Sequence, residues 1–454
     1  MKFKTINPAT EETIAEFSTL SKEEVLEAAE RSHSAWKDWR KVDISERSDY
    51  FRKLAKVLKN NKERYARLMT LEMGKPIKQS LAEVEKCAWC AEFYADNAGK
   101  WLENEIVQAD GKKHFVSFEP LGVILSIMPW NFPFWQAFRF GIPTLIAGNA
   151  SILKHSNHVP QCALAIEEAY IEAGFPQNVF KTVVTDHESV AELVKSDLVQ
   201  GVSLTGSTAA GARIAELAGK NLKRVVLELG GSDPFIVLDD ADIESAARNA
   251  VAGRTLNSGQ SCIAAKRFIV MKNVAEEFSG KFAEYTSSLV VGNPMDLKTD
   301  VGPLVNKDGL LQIESQVHDA VSKGARILAG GKRLERKGFF YMPTVLGNVK
   351  EDMRVVTEEV FGPVAPIIIV ENEEGAVEIA NNTEFGLGAS IWTRDESKGL
   401  QIAKQLEVGD VFINSIVKSD PRMPFGGVKK SGIGRELSKY GLKEFVNVKG
   451  INIY

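Results

Sequence analysis

The stretch Gly201-Val202-Ser203-Leu204-Thr205-Gly206-Ser207-Thr208-Ala209-Ala210-Gly211 decides the fold. An apolar strand ends at Leu204, a Thr-Gly-Ser turn follows, and a helix opens at Thr208. Glycine in such a turn lets an anion approach the backbone, and a helix N-terminus offers unpaired N–H groups with positive potential. The strict G-x-G-x-x-G spacing is absent, so taken alone the turn is also compatible with a plain connection. Outward from it, the pattern repeats. Strands read at 123–128, 150–153, 179–184, 201–204 and 224–227, and helices at 135–147, 160–173, 188–195 and 208–218. Strands separated by helices imply an α/β fold with a parallel, doubly wound sheet, which takes ligands at the carboxyl ends of its strands.

A chain of 454 residues exceeds what one core supports, so two or three domains are expected. Apolar residues make up 44% and charged residues 26%, with a net charge of −4, which is ordinary for a soluble globular protein. No basic block points to nucleic acid or an anionic membrane. The four cysteines, Cys87, Cys90, Cys162 and Cys262, are too few for a disulfide framework, and a reducing cytoplasm is the expectation. The opening Met1-Lys2-Phe3-Lys4-Thr5 lacks the apolar core of a signal peptide, and no apolar run is long enough to span a membrane. Cys87-Ala88-Trp89-Cys90 has redox-motif spacing but lies in a helical stretch, where packing is the better reading. His155 and His158 have no third ligand at matching spacing, and no metal is expected.

The first hundred residues read as mostly helical scaffold. Residues 106–119 read instead as a hairpin or arm, with too little core of its own to stand alone. After Gly231 the α/β pattern resumes, with a strand at 232–239, a helix at 243–253, a strand from Ile263 and a further strand near Val290. A helix through Val317 and a strand at 325–328 follow, and the end, 444–451, alternates like an edge strand.

Three pieces carry chemistry. Asn257-Ser258-Gly259-Gln260-Ser261-Cys262 delivers a thiol from a polar loop at a strand start. A free cysteine is more often a small packing residue, but an exposed one with a lowered pKa is a nucleophile. Strand 224–227 ends in Glu228-Leu229-Gly230-Gly231, a carboxylate with little bulk around it. Strand 123–128 ends in Pro129-Trp130-Asn131-Phe132-Pro133, whose amide can donate to an oxyanion.

Together these motifs resemble the NAD(P)-dependent aldehyde dehydrogenases, from Asn7-Pro8-Ala9-Thr10 to the C-terminal strand. The family's glutamate signature stands as Leu227-Glu228-Leu229-Gly230-Gly231-Ser232-Asp233-Pro234, and its cysteine signature as Asn257 to Cys262. The resemblance implies two doubly wound parallel-sheet domains plus a β oligomerisation arm. The dinucleotide-binding domain would comprise 1–102 and 121–230, the arm 103–120 and 432–454, and the catalytic domain 231–431. It implies Cys262 as nucleophile, Asn131 as oxyanion donor and Glu228 as the base that activates water for thioester hydrolysis. Cofactor contacts would come from Met128, Pro129, Trp130, Lys154, Asn157, Gly206, Ser207, Leu229, Gly230, Glu359 and Phe361. Asn157 replaces a glutamate common in NAD-preferring members and removes its repulsion of a 2′-phosphate, so the resemblance implies NAD or NADP as cofactor.

The wording around Asn131 is similar to the short bacterial succinate-semialdehyde dehydrogenase branch. There Arg139 would bind a distal carboxylate, and Trp135, its i, i+4 neighbour, would form a wall. Arg267 is a second candidate for that carboxylate, with a structural role the stronger reading. Alternatives are a glyceraldehyde-type or broad-range aldehyde dehydrogenase and, far behind, a non-catalytic protein that keeps the fold. The partners expected are a small aldehyde and further copies of the chain, as a dimer or tetramer.

Overall fold

A computed structural model describes residues 2–454. Its larger halves are built on two sheets. The first has six strands in the order Gly432–Ile433, Arg224–Glu228, Val199–Thr205, Val123–Met128, Ala150–His155 and Phe180–Thr182. All pair in parallel except the short Gly432–Ile433, which runs antiparallel to Arg224–Glu228. The chain leaves Val123–Met128 toward Phe180–Thr182, then returns to lay Val199–Thr205 on the other side of Val123–Met128. That reversal opens a crevice between Met128 and Thr205, at the carboxyl ends of the two strands.

The second sheet has seven strands: Arg326–Ala329, Thr344–Gly347, Val364–Val370, Ala265–Met271, Asp233–Val237, Gly388–Trp392 and Asp410–Ile413. Only its first pairing is antiparallel. Its central strands are buried along their length, as expected for a sheet covered by helices on both faces. A separate three-stranded antiparallel sheet joins Val446–Ile453, Lys113–Pro120 and Glu105–Val107. It leaves Ile106, Val107, Val448 and Ile453 exposed.

Two sequence readings differ from the structure. The N-terminal region begins with an antiparallel pair, Lys2–Ile6 with Thr13–Ser18, where scaffold helix was expected. Its turn is held by the Asn7 side chain accepting from Ala9 N–H at 2.9 Å, a local device that apolar periodicity does not reveal. No strand forms at Val290. The helix Lys272–Ser287 follows the cysteine strand directly, and Val291 makes a single bridge to Val301, because Gly292, Asn293 and Pro294 stop extension.

The Ile77–Trp101 helix carries the Cys87 pair, and both thiols are buried among apolar neighbours. All four cysteines are free. Among the described residues, no helix is long and apolar enough to cross a membrane.

Candidate active site

The cysteine loop is a strained segment held from several sides. Asn257, Ser258 and Gly259 have φ of 54°, 56° and 77°, three successive residues in the left-handed region. For a residue with a Cβ that conformation costs about 1–2 kcal/mol. Hydrogen bonds over-determine it. Asn257 N–H donates to Gln79 Oε1 at 2.7 Å, and Asn257 Nδ2 donates to the carbonyls of Asn131 at 2.7 Å and Gln260 at 3.0 Å. Ser258 Oγ bridges both backbone groups of Gly302. The buried Arg254 guanidinium donates to the carbonyls of Gly259, Ala265 and Val360. Strain kept by so many partners is characteristic of a functional segment.

Cys262 stands where two cavities meet. The smaller, about 220 Å³, is walled by Phe132, Trp135, Arg139, Leu256, Val417 and Phe425, among others. The larger, about 540 Å³, is bordered by Pro129, Trp130, Asn131, Gly206, Ser207, Gly230, Glu359 and Phe361. Cys262 and Gln136 border both. The thiol is half-buried, and burial pushes its pKa up to about 12 against the opposing pull of Lys266 and Arg139. Lys266 Nζ donates to the Cys262 carbonyl at 2.6 Å and pairs with Glu359 at 3.1 Å, tying the nucleophile loop to the larger cavity.

Asn131 is buried and its amide orientation is fixed. Its Nδ2 donates to the Gln260 carbonyl at 3.1 Å, while its Oδ1 accepts from Gln136 Nε2 at 3.1 Å. One amide hydrogen is thereby left for a ligand. The Cys262 N–H is not spent on any backbone carbonyl among the described residues. The helix that follows, Pro133–Ile146, is set in place by the buried Glu83, whose Oε1 accepts from Phe134 N–H at 3.0 Å and Trp135 N–H at 2.9 Å.

Glu228 ends the Arg224–Glu228 strand and is 2% exposed. Neither of its carboxyl oxygens has a hydrogen-bond partner among the described residues. Burial first, then the nearby Glu436, pushes its pKa well above the usual carboxylate range, with Arg139 acting the other way. The carboxyl packs against Gly426, where a Cβ would stand 2.6 Å from Oε1. It borders neither cavity, yet is close enough for its charge to bear on Cys262. A buried, unpartnered, perturbed carboxyl beside a thiol marks a reactive centre.

Several contacts escape sequence reasoning. Arg139 reaches the smaller cavity as expected, but its guanidinium is ion-paired with the buried Glu436, donates weakly to Thr205 Oγ1 at 3.5 Å and lies over the Phe425 ring. Arg267 does not reach the cavity. Its three nitrogens donate to the carbonyls of Ser232, Ile379 and Ala380, so it is a buried brace and not a substrate ligand. Gln136, Glu436, Lys86 and Ser419 come to the site from 86 to 436 in the chain, and no local spacing announces them.

The larger cavity fits a dinucleotide. Ser207 caps the Thr208–Lys220 helix and borders both this cavity and a third of about 480 Å³ lined by His187 and Arg213. Gly230 is bare where a Cβ would meet Glu359 Oε2 at 2.7 Å, and Glu359 is held by the Gly231 N–H at 3.1 Å. Leu229 is buried beneath, against Gly211 of the same helix. Met128 is buried at its strand end, where its carbonyl accepts from Ser156 N–H. Lys154 is buried at the end of Ala150–His155 with its pKa lowered by burial, and Asn157 is exposed just beyond.

A profile of the aldehyde dehydrogenase family matches residues 1–451. The chain belongs to the aldehyde dehydrogenase family. Within it, the chain is 47% identical over 451 residues to the probable succinate-semialdehyde dehydrogenase [NADP(+)] of Synechocystis sp., covering 99% of each. It is 46% identical over 456 residues to succinate-semialdehyde dehydrogenase [NADP(+)] 1 of Mycobacterium tuberculosis, again covering 99% of each. Among solved structures, it superposes on the succinic semialdehyde dehydrogenase of Streptococcus pyogenes in complex with NADP+ at a TM-score of 0.97, with 37% identity and 99% of each chain covered. It is an oxidoreductase that converts an aldehyde to an acid.

Proposed function

We propose that the chain oxidises succinate semialdehyde to succinate with NADP as hydride acceptor. The observation that carries this reading is the Cys262 thiol at the junction of a small substrate-sized cavity and a dinucleotide-sized one. The substrate and cofactor are supported by the names of the relatives. The neutral Asn157 beside Lys154, with Arg213 and His187 bordering the adjoining cavity, is compatible with a 2′-phosphate.

In this reading Cys262 loses its proton and its sulfur attacks the aldehyde carbon, converting the carbonyl into an alkoxide. The Asn131 amide and the Cys262 N–H donate to that oxygen, where charge develops. Loss of hydride from that carbon to a nicotinamide, which Ser207, Gly230 and Glu359 would hold in the larger cavity, would leave a thioester on Cys262. Glu228 then takes a proton from water, the water adds to the thioester carbon, and the sulfur leaves as succinate forms. The thiol, which burial raises to a pKa of about 12, and the Glu228 carboxyl, which burial holds above the usual carboxylate range, must both be deprotonated during the cycle, so turnover accelerates with rising pH.

The sheet of Glu105–Val107, Lys113–Pro120 and Val446–Ile453, with its exposed apolar side chains, would bridge subunits of a homo-oligomer. Four free thiols suit a reducing cytoplasm.

A second reading, a broad-range enzyme for neutral aliphatic aldehydes, is favoured by the apolar walls from Phe132, Leu256, Val417 and Phe425. Initial rates with succinate semialdehyde, glyceraldehyde and hexanal, each with NAD and NADP, decide between them. A kcat/KM advantage of about tenfold for succinate semialdehyde, some 1.4 kcal/mol in the transition state, supports the first. Comparable rates support the second.

A further inference from the structure

Lys266 is the second residue of the Ala265–Met271 strand, just past the cysteine loop. Successive strand residues face opposite sides, so Lys266 turns toward the site while its neighbour Arg267 turns away to the carbonyls it braces. The Lys266 side chain is fully buried. That of Glu359, with which it pairs at 3.1 Å, keeps 24% of its exposure at the wall of the larger cavity. Water therefore screens the carboxylate more than the ammonium, and the pair leaves an excess of positive potential inside the protein. That excess lies against the nucleophile, because the same Nζ donates to the Cys262 carbonyl at 2.6 Å.

Four charged groups bear on the Cys262 sulfur. Lys266 and Arg139 favour the thiolate, and Glu228 and Glu359 oppose it. Arg139 is ion-paired with the buried Glu436, and burial holds Glu228 toward its neutral form. Asp233, on the adjoining strand, also feels Lys266, but its Oδ1 accepts from Gly388 N–H at 3.1 Å and it forms no ion pair with Lys266 among the described residues. The Lys266–Glu359 pair is thus the charge balance left beside the thiol. Glu359 is gripped on one side only. Its Oε1 pairs with Lys266 Nζ and accepts from Gly231 N–H, while its Oε2, beside Gly230, accepts from no donor among the described residues.

We propose that Lys266 is a positioning residue with two roles: its charge supports the Cys262 thiolate, and its grip on Glu359 Oε1 keeps Oε2 free for the ligand of the larger cavity. This rests on the reading of Cys262 as the nucleophile. Lys266 touches no reacting atom and acts through Cys262 and Glu359. One ammonium serves both, so thiol reactivity and cofactor affinity are set together.

The test is alkylation of Cys262 by iodoacetamide in the free enzyme from pH 7 to 10, read by mass spectrometry on the peptide containing Cys262. Below the thiol's midpoint the rate follows the thiolate fraction, which falls about tenfold when the midpoint rises by one pH unit. In Lys266→Met alkylation slows about tenfold at each pH, and in Lys266→Arg it stays close to native. In Glu359→Gln, which removes the opposing charge, it speeds up. A loop that was merely loosened would not reverse its effect with the sign of the charge removed. NADP binding, followed by tryptophan fluorescence, weakens about three- to tenfold in Lys266→Met, the scale of one hydrogen bond. Native alkylation in Lys266→Met, or the same direction of change in Lys266→Met and Glu359→Gln, overturns the first role. Native NADP affinity in Lys266→Met overturns the second. Should Lys266→Met fail to fold, Glu359→Gln decides, and alkylation there no faster than native overturns the proposal. These outcomes leave the proposed function standing, whereas a native enzyme whose Cys262 is not alkylated at any pH overturns both.

Discussion

Replacing Asn131 by alanine separates what that amide does for the fold from what it does for the reaction. In the resting site its Nδ2 donates to the Gln260 carbonyl and its Oδ1 accepts from Gln136. The Gln260 carbonyl keeps a second donor, Asn257 Nδ2 at 3.0 Å, so the cysteine loop retains its tie. Gln136 Nε2 loses the one acceptor it has among the described residues, in a buried setting, which costs about 1–3 kcal/mol of stability. The alkoxide on the substrate loses one of two donors, which lowers kcat about 10²–10³-fold, equivalent to about 2.7–4 kcal/mol. Urea unfolding gives the first figure and steady-state rates under saturating cofactor give the second. Alkylation of Cys262 by iodoacetamide, which forms no oxyanion, should proceed at close to the native rate in the variant. A variant that keeps native kcat refutes the oxyanion assignment. A variant that loses alkylation along with turnover shows that Asn131 acts by holding the loop.

Three further perturbations follow from the structure. His155 is buried, its Nδ1 accepts from Ser156 N–H and its Nε2 faces the Pro133 carbonyl, and burial lowers its pKa to about 4 from 6.5. Above pH 6.5 it is neutral in both states; below, the unfolded chain takes up the proton that the folded one refuses, so its contribution fades as pH falls from 6.5 to 4. Against His155→Gln, which does not titrate, the stability gap measured at pH 7.5 should narrow by about 2 kcal/mol at pH 5. A constant gap contradicts the assignment, and the comparison is differential because Glu72 and Asp233, with pKa raised by burial to about 7, shift stability the opposite way in that window. Gly259→Ala places a Cβ 2.3 Å from the Gly362 backbone at a φ of 77° and should abolish activity and soluble yield. Gly219→Ala, in the exposed Thr208–Lys220 helix with open space around it, should instead gain about 0.5–1 kcal/mol in thermal unfolding.

Much of the fold was legible because its signals are local and repeated. The strand Val123–Met128 and the helix starts at Pro160 and Thr208 follow from β-branched runs, a proline at a helix start and a Ser cap. The Lys2–Ile6 pair was not, since alternating Lys and Phe over five residues carries too little apolar weight. Within the site, Cys262, Glu228 and Asn131 each sit at a strand end or loop that its own neighbours identify. Their electrostatic setting is another matter. Glu436 joins Arg139 across about two thirds of the chain, and Lys86 meets Ser419 from a helix whose sequence reads as scaffold. Arg139 has the right residue type in the right place, but only the folded chain reveals the carboxylate already facing it. Arg267, five residues past Cys262, points away because successive strand residues alternate faces.

The most direct test is a single-turnover experiment with Glu228→Gln. Glutamine keeps the shape of the side chain but is no base, so acylation should proceed and hydrolysis should stall. Mixing this variant with excess succinate semialdehyde and NADP should give a burst of one reduced cofactor per subunit, followed by a steady rate far below native. The acyl group should be found by mass spectrometry on the peptide containing Cys262. Steady turnover at the native rate without a burst, or an acyl group on any other residue, would contradict the account of Cys262 as nucleophile and Glu228 as hydrolytic base.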